Sequence, residues 1–281
     1  MIDTHLHVWA RARSPYHWLD DAPEPLRADH SLEQGLSAVS AHGFDRAVLV
    51  QADETLEETT YLLELAASDP RVVGAVCYLP LEAPMIVAEH LPRLVADPWF
   101  VGVRNLTHDR PNPGWILGED QRRSLDRLEA AGVPLDYIAV SPEHLRNLCS
   151  LARRHPGLTI VLDHLGKPPV GRPEYDRWVD QLAETASLPN VIAKISGIYP
   201  AAAAERVASI TDEQMAAILT TALASFGSDR LMLGSDWPMG TVAGGTDAAL
   251  SVLLAAVDAL APDQADALRQ RTATRVYGLK A

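Results

Sequence analysis

The sequence predicts a (β/α)8 TIM barrel, a single domain over residues 1–281, and three observations carry that expectation. Eight short strand-like runs each precede a helical stretch along the chain. The runs are apolar throughout rather than alternately polar and apolar, the mark of strands buried on both faces in a parallel sheet covered by helices. Eight such units in about 250 residues match the size of the barrel. An open doubly wound sheet is the competing architecture, but no GxGxxG or P-loop follows any strand, so its usual nucleotide-binding use has no support.

The first strand is expected over residues 2–8, followed by a proline- and aromatic-rich segment, 9–27, too long for an ordinary loop. Helical spacing at Leu32, Leu36 and Val39, with Ser31 and Gln34 in a capping-box arrangement, predicts a helix within 31–43. The alternation then runs strand 45–51 (DRAVLVQ), helix 56–68, strand 72–79 (VVGAVCYL), helix 83–95, strand 100–106 (FVGVRNL) and helix 119–131. It continues with strand 134–140 (PLDYIAV), helix 142–155, strand 158–163 (LTIVLD), helix 173–186, strand 191–196 (VIAKIS), helix 211–226 and strand 230–235. Helices 248–260 and 264–276 close the chain. Glycines over 242–246 predict a mobile loop beside the last strand.

Bulk properties narrow the function. The formal net charge is −13, from 37 acidic and 24 basic residues with no Lys/Arg block, which disfavours nucleic acid as a partner. No apolar run approaches the ~20 residues of a membrane helix, and the first strand leaves no room for a signal peptide, so a soluble cytoplasmic protein is expected. Cys77 and Cys149 lie in apolar surroundings and form no CxxC pair, which points to packing in a reducing compartment. Nothing in the sequence fixes the oligomeric state, and a homo-oligomer stays open.

In such a barrel the site lies at the carboxyl ends of the strands. Those ends carry His5 and His7, Gln51, Tyr78, Arg104 and Asn105, Asp136, Asp163 and His164, Lys194 and Ser196, and Ser235 and Asp236. Alternate strand residues share a face, so His5 and His7 aim both imidazoles at one point, at metal-ligand spacing. Asp236 reaches that point only if the chain curls round into a closed barrel. His164, beside Asp163, suits a general acid or a ligand. Arg104 and Lys194 end buried strands as cations, where an anionic or polar substrate, or alternatively a structural ion pair with Asp136 or Asp163, would offset desolvation. Tyr78 joins them as a candidate substrate contact, and Trp237 adjoins the site as its expected wall. Trp9, Trp18 and Trp115 are ambiguous, whereas Trp99 and Trp178 look like packing. His17, His30, His42, His90, His108, His144 and His155 have no strand-end placement and are expected on surfaces or helices.

With these residues in place, the chain resembles the amidohydrolase superfamily, in the group of TIM-barrel hydrolases that includes sugar-acid lactonases and sulfomuconolactone hydrolase-like enzymes. The motifs are IDTHLHVW at 2–9, PYHWL at 15–19, VGVR at 101–104, LDHLGKP at 162–168, KISG at 194–197 and GSDWP at 234–238. The resemblance implies that His5 and His7 hold the first-strand metal positions, Asp236 the eighth-strand metal and base position, and His164 the sixth-strand position. Two departures from the superfamily's two-metal pattern follow: the fourth strand offers Arg104 and no carbamylatable lysine, and residues 136–139 contain no histidine. One divalent ion, zinc by donor type, or none, is therefore expected.

The implied activity is hydrolysis of a lactone of a sugar acid or related carboxylated small molecule, in carbohydrate catabolism. Asp236 would activate water and His164 would donate to the carbonyl or the leaving alkoxide. Arg104, Lys194, Tyr78 and Trp237 would hold the substrate. A metal-dependent decarboxylase of an aromatic or unsaturated acid on the same barrel is the alternative, ranked lower because its fifth-strand histidine is missing. A non-catalytic barrel is disfavoured by the joint presence of HxH, His164 and Asp236.

Overall fold

A computed structural model describes residues 1–199, 210–242 and 245–280. Eight parallel strands form one sheet in sequence order: β1 (Ile2–Leu6), β2 (Arg46–Val50), β3 (Val72–Cys77), β4 (Phe100–Asn105), β5 (Leu135–Ile138), β6 (Ile160–Asp163), β7 (Val191–Ile195) and β8 (Leu231–Leu233). The intervening helices are α1 (Leu32–Ser40), α2 (Leu56–Ser68), α3 (Pro84–Val95), α4 (Glu119–Ala131), α5 (Pro142–Arg154), α6 (Tyr175–Ala186), α7 (Asp212–Phe226) and α8 (Thr246–Asp258). The expected TIM barrel is thus the observed one. The segment expected as one final helix is α9 (Pro262–Asp266), a π-helical turn (Ala267–Arg271) and α10 (Thr272–Tyr277). The expected 242–246 loop falls partly on residues 243–244, outside the described residues.

Local chemistry sets the helix starts. Ser31 accepts from Gln34 N while the Gln34 side chain accepts from Ser31 N, and Thr211 with Gln214 repeats this before α7, so two orphan amides are satisfied at each start. Thr55 and Ser141 cap α2 and α5, the latter with Pro142 in the first turn, where its missing N–H costs nothing. Helix α4 stops at Gly132, whose φ of 67° places it in the left-handed region that suits glycine.

Except for β6, the strands are shorter than their apolar runs by one or two residues at the carboxyl end. The chain leaves the hydrogen-bond ladder there, yet Val8, Leu79 and Ala139 remain fully buried beneath the loops, so hydrophobicity outlasts the strand. One core lies between the strands and the helices. A second fills the barrel floor, where Ile2, Val48, Val50, Val76, Val161, Ile192 and Met232 pack against Ala273, Tyr277 and Leu279 of the C-terminal segment. Side chains two apart on a strand share a face. Above Val161 therefore comes Asp163, above Ile192 come Lys194 and Ser196, and above Met232 come Gly234 and Asp236. The interior changes from apolar floor to ionic layer to open cavity along the barrel axis.

Candidate active site

Barrel closure builds the site. Strand β1 meets the segment after β8 through Asp236 N donating to His5 O (2.8 Å) and His7 N donating to Trp237 O (2.8 Å). Thr4 Oγ1 donates to Leu233 O (2.6 Å), and buried Asp3 accepts from His5 N (3.0 Å) and Ser235 N (2.8 Å). These bonds bring the first-strand imidazoles to Asp236. His5 Nε2, His7 Nε2 and His164 Nε2 stand 3.9, 3.6 and 3.8 Å from Asp236 Oδ1.

The backbone is bent to permit this. Asp236 (φ 58°), His164 (56°), Leu165 (52°) and Lys167 (54°) all occupy the left-handed region that non-glycine residues avoid, a cluster of strain typical of functional sites. A cis peptide joins Trp237 to Pro238. At Gly197 (φ +55°) a Cβ would lie 2.2 Å from Asp236 Oδ2 and 2.7 Å from His164 Nδ1, so no larger residue leaves room for both groups.

Below the carboxylate, the ionic layer consists of Asp136, Asp163, Lys194 and Arg104. Lys194 Nζ contacts Asp136 Oδ2 (2.5 Å) and Asp163 Oδ1 (3.3 Å), and Arg104 Nε lies 3.3 Å from Asp163 Oδ2. Lys194 is fully buried. Expected from the sequence as a substrate contact, it instead sits beneath the cavity as a structural ion pair, the alternative left open above. Two further expectations need correction. Tyr78 does not line the cavity, since the chain past β3 is tied to α2 by Thr59 Oγ1 donating to Tyr78 O (2.9 Å). The Trp237 ring also lies outside it, packed on the helix α1 backbone, where a Cβ at Gly35 would be 2.9 Å from the ring.

The cavity is about 250 Å³, small-molecule size, and opens over His7, Arg104, His164, Lys167 and Asp236. Its walls are Trp9, Trp18, Leu106, Ile138, Val140 and Met239, with His108 and Asp109 as polar additions. Trp18 Nε1 donates to Ala52 O (2.8 Å) and its ring meets Trp9 edge-on at 5.2 Å, which fixes both indoles. Lys167 and His108 escaped the sequence reading as site residues. The chain reversal at 164–167 carries the Lys167 ammonium back to 3.6 Å from Asp236 Oδ2 and 3.2 Å from Gly197 O; the glycine in LGKP was the available signal. His108, expected on a surface, is drawn in by the short 3₁₀ turn Thr107–Asp109.

Electrostatics sort the roles. Burial alone would raise the Asp236 pKa, but His164, Lys167, His7 and His5 around it hold it well below the carboxylate range, so Asp236 is ionised. Burial drives His164 down to about 3 and His5 well below its ordinary value, and it lowers His108 to about 4, so these imidazoles are neutral. His7 Nδ1 donates to Val50 O (2.8 Å), which leaves its Nε2 lone pair facing the centre. His164 Nδ1 pairs with Ser196 Oγ (2.9 Å), a hydroxyl that serves either tautomer.

Neutral imidazoles around an ionised carboxylate are the donor set of one divalent ion. The spacings of 3.6–3.9 Å, and 3.1 Å between the His5 and His7 nitrogens, bracket the roughly 3.3–3.4 Å edges of a zinc tetrahedron. His5, His7 and Asp236 form one candidate ligand group and His5, Asp163 and His164 another, but Asp163 is already engaged by Lys194 and Arg104. A second ion has no room on the fourth-strand side, where Arg104 Nη1 lies 3.4 and 3.5 Å from the His5 and His7 Nε2 atoms.

The chain is 31% identical over 243 residues, 86% of its length and 82% of the relative's, to an L-fucono-1,5-lactonase of Burkholderia ambifaria. It is 29% identical to an L-fucono-1,5-lactonase of Burkholderia multivorans, covering 99% of this chain and 96% of that one. The crystal structure of a Burkholderia multivorans amidohydrolase with bound zinc superposes with a TM-score of 0.86 at 30% identity, over 99% of each chain. The amidohydrolase family model matches residues 2–279, and the chain belongs to the amidohydrolase family.

Proposed function

We propose that this protein opens the lactone ring of a sugar acid by hydrolysis at the cavity over Asp236. One observation carries the reading: an ionised carboxylate lies between neutral imidazoles and two cavity-facing cations, Arg104 and Lys167, in a small pocket with indole walls. Water attacks the lactone carbonyl as Asp236 takes its proton. The carbonyl oxygen gains negative charge, which Arg104 and Lys167 are placed to stabilise. The ring oxygen then leaves as an alkoxide and takes back that proton from Asp236, beside the His164 ring. Trp9, Trp18 and Met239 would cover the C–H faces of the sugar, and the cations would hold its hydroxyls and the new carboxylate. The likeness to two L-fucono-1,5-lactonases supports a six-membered sugar lactone as the substrate class. Acid release from a panel of aldono-1,5-lactones, followed at constant pH, is expected to be saturable and above the spontaneous rate. A panel without any enzymatic acid release would contradict the proposal.

His5, His7 and Asp236 would hold one divalent ion, zinc by donor type, as the zinc-bound relative supports. When bound it would supply Lewis acidity, which lowers the pKa of water toward about 7. Elemental analysis of protein purified without chelator is expected to give at most one equivalent of divalent metal per chain. Two tightly bound equivalents would contradict the exclusion by Arg104.

A further inference from the structure

Four successive residues after β2 each hold a different part of the cavity. Gln51 O accepts from Arg104 Nη1 (3.0 Å), and Ala52 O accepts from the Trp18 indole (2.8 Å). Asp53 Oδ2 accepts from Ser14 Oγ (2.7 Å) and Tyr16 N (2.8 Å), which ties down the 9–27 segment where Tyr16 turns through a left-handed φ of 44°. Glu54 accepts from Leu106 N (2.9 Å) and Arg110 Nη2 (2.7 Å), so its two contacts bracket His108 and Asp109 of the cavity wall. Two separate wall-forming loops are therefore tied to one short turn.

The turn is itself held by Glu58, a fully buried carboxylate in the first turn of α2. Glu58 N donates to the capping Thr55 Oγ1 (3.0 Å), so the Glu58 side chain stands where that of a capping box would return to the Thr55 amide. It reaches further back instead: Oε1 accepts from Ala52 N (2.9 Å) and Oε2 from Asp53 N (2.8 Å). Taking a carboxylate out of water is costly unless its oxygens are occupied, and here both are occupied by the middle of the turn. Glu58 does not line the cavity. Asp236, His164 and Lys167 are bonded elsewhere, to His5 O, Ser196 Oγ and Gly197 O.

We propose that Glu58 is a positioning residue for substrate recognition: by fixing the 51–54 turn it sets the two cavity loops, 9–27 and 105–118, and leaves the proton transfer at Asp236 untouched. When the turn loosens, the substrate loses the indole wall and the His108 side together, while Arg104 keeps its contact with Asp163. Binding then weakens in the ground state and the transition state alike, which raises KM with little change in kcat. The recognition half of this inference rests on the lactonase reading; the hold on the loops does not.

The test compares two neighbouring substitutions in the full-length chain. Glu58→Leu keeps the bulk and removes both acceptors. Thr59→Val, the control, also costs α2 two buried hydrogen bonds, Tyr78 N to Thr59 Oγ1 (3.1 Å) and Thr59 Oγ1 to Tyr78 O (2.9 Å), but leaves the bonds to the turn in place. Without substrate, hydrogen exchange is expected to quicken about tenfold in peptides from both 9–27 and 105–118 in Glu58→Leu, and in neither in Thr59→Val. For an aldono-1,5-lactone opened by the wild type, KM rises about tenfold in Glu58→Leu with kcat within about threefold. Loops that stay protected, or that loosen equally in both variants, overturn the proposal, as does a fall in kcat at unchanged KM. If Glu58→Leu does not fold, Glu58→Gln, which keeps one acceptor, takes its place, and protected loops in that variant overturn the proposal alone. With no lactone opened by the wild type, the lactonase reading fails on its own, and the exchange measurement still supports or overturns the hold of Glu58 on the loops.

Discussion

Asp236→Asn is expected to lower kcat by a factor of about 10³ while the barrel stays folded. The amide keeps the shape of the carboxylate and its van der Waals contacts with Gly197, but it cannot take a proton from water. The surrounding histidines and Lys167 hold the Asp236 carboxyl well below its ordinary range, so its charge is present throughout the neutral region and the substitution would remove the proposed base. The contrary view makes Asp236 a turn residue, since Met239 N donates to Asp236 O at 2.8 Å. That bond uses the backbone carbonyl, which asparagine retains. Measuring kcat together with the thermal midpoint separates the two views: a lowered midpoint with unimpaired kcat would refute the base.

Lys194→Met is expected to act on stability before activity. The ammonium lies between two buried carboxylates, Asp136 at 2.5 Å and Asp163 at 3.3 Å, with no solvent to replace it. Removing one partner of a buried ion pair leaves the other's desolvation uncompensated, at a cost of about 3–5 kcal/mol. For a chain of this size such a loss lowers the thermal midpoint by roughly 10 °C. Arg104 still faces Asp163 and Tyr277 still faces Asp136, which keeps the variant from being hopeless to purify. Thermal denaturation of the variant decides; an unchanged midpoint with a raised KM would restore Lys194 as a substrate contact.

The barrel was legible because parallel strands under helices need unbroken apolar runs, and eight of them are plain in the sequence. Helix α2 falls on residues 56–68 as the spacing implies. Strand ends were overrun because residues such as Leu79 and Ala139 stay buried after leaving the ladder. Convergence of His5, His7, His164, Arg104 and Asp236 followed from their strand-end positions alone. Depth along the barrel axis did not: Lys194 and Ser196 share the interior face, yet Lys194 lies in the ionic layer and never reaches the cavity. Nor did loop reversal, which hides Trp237 under α1 and delivers Lys167, a residue of the same motif as His164, to the carboxylate. The long 9–27 segment could be marked as functional by its length, but only its folded path puts Trp18 on the cavity wall and ties Tyr16 N to Asp53 Oδ2 at 2.8 Å.

Base catalysis by Asp236 during lactone opening is tested most directly by a single turnover in ¹⁸O-water, with the product and the Asp236 peptide weighed by mass spectrometry. Attack by water on the carbonyl, with Asp236 only moving a proton, predicts one ¹⁸O in the product carboxylate and none in Asp236. Label in the Asp236 side chain, or carbon dioxide in place of a ring-opened acid, would contradict it.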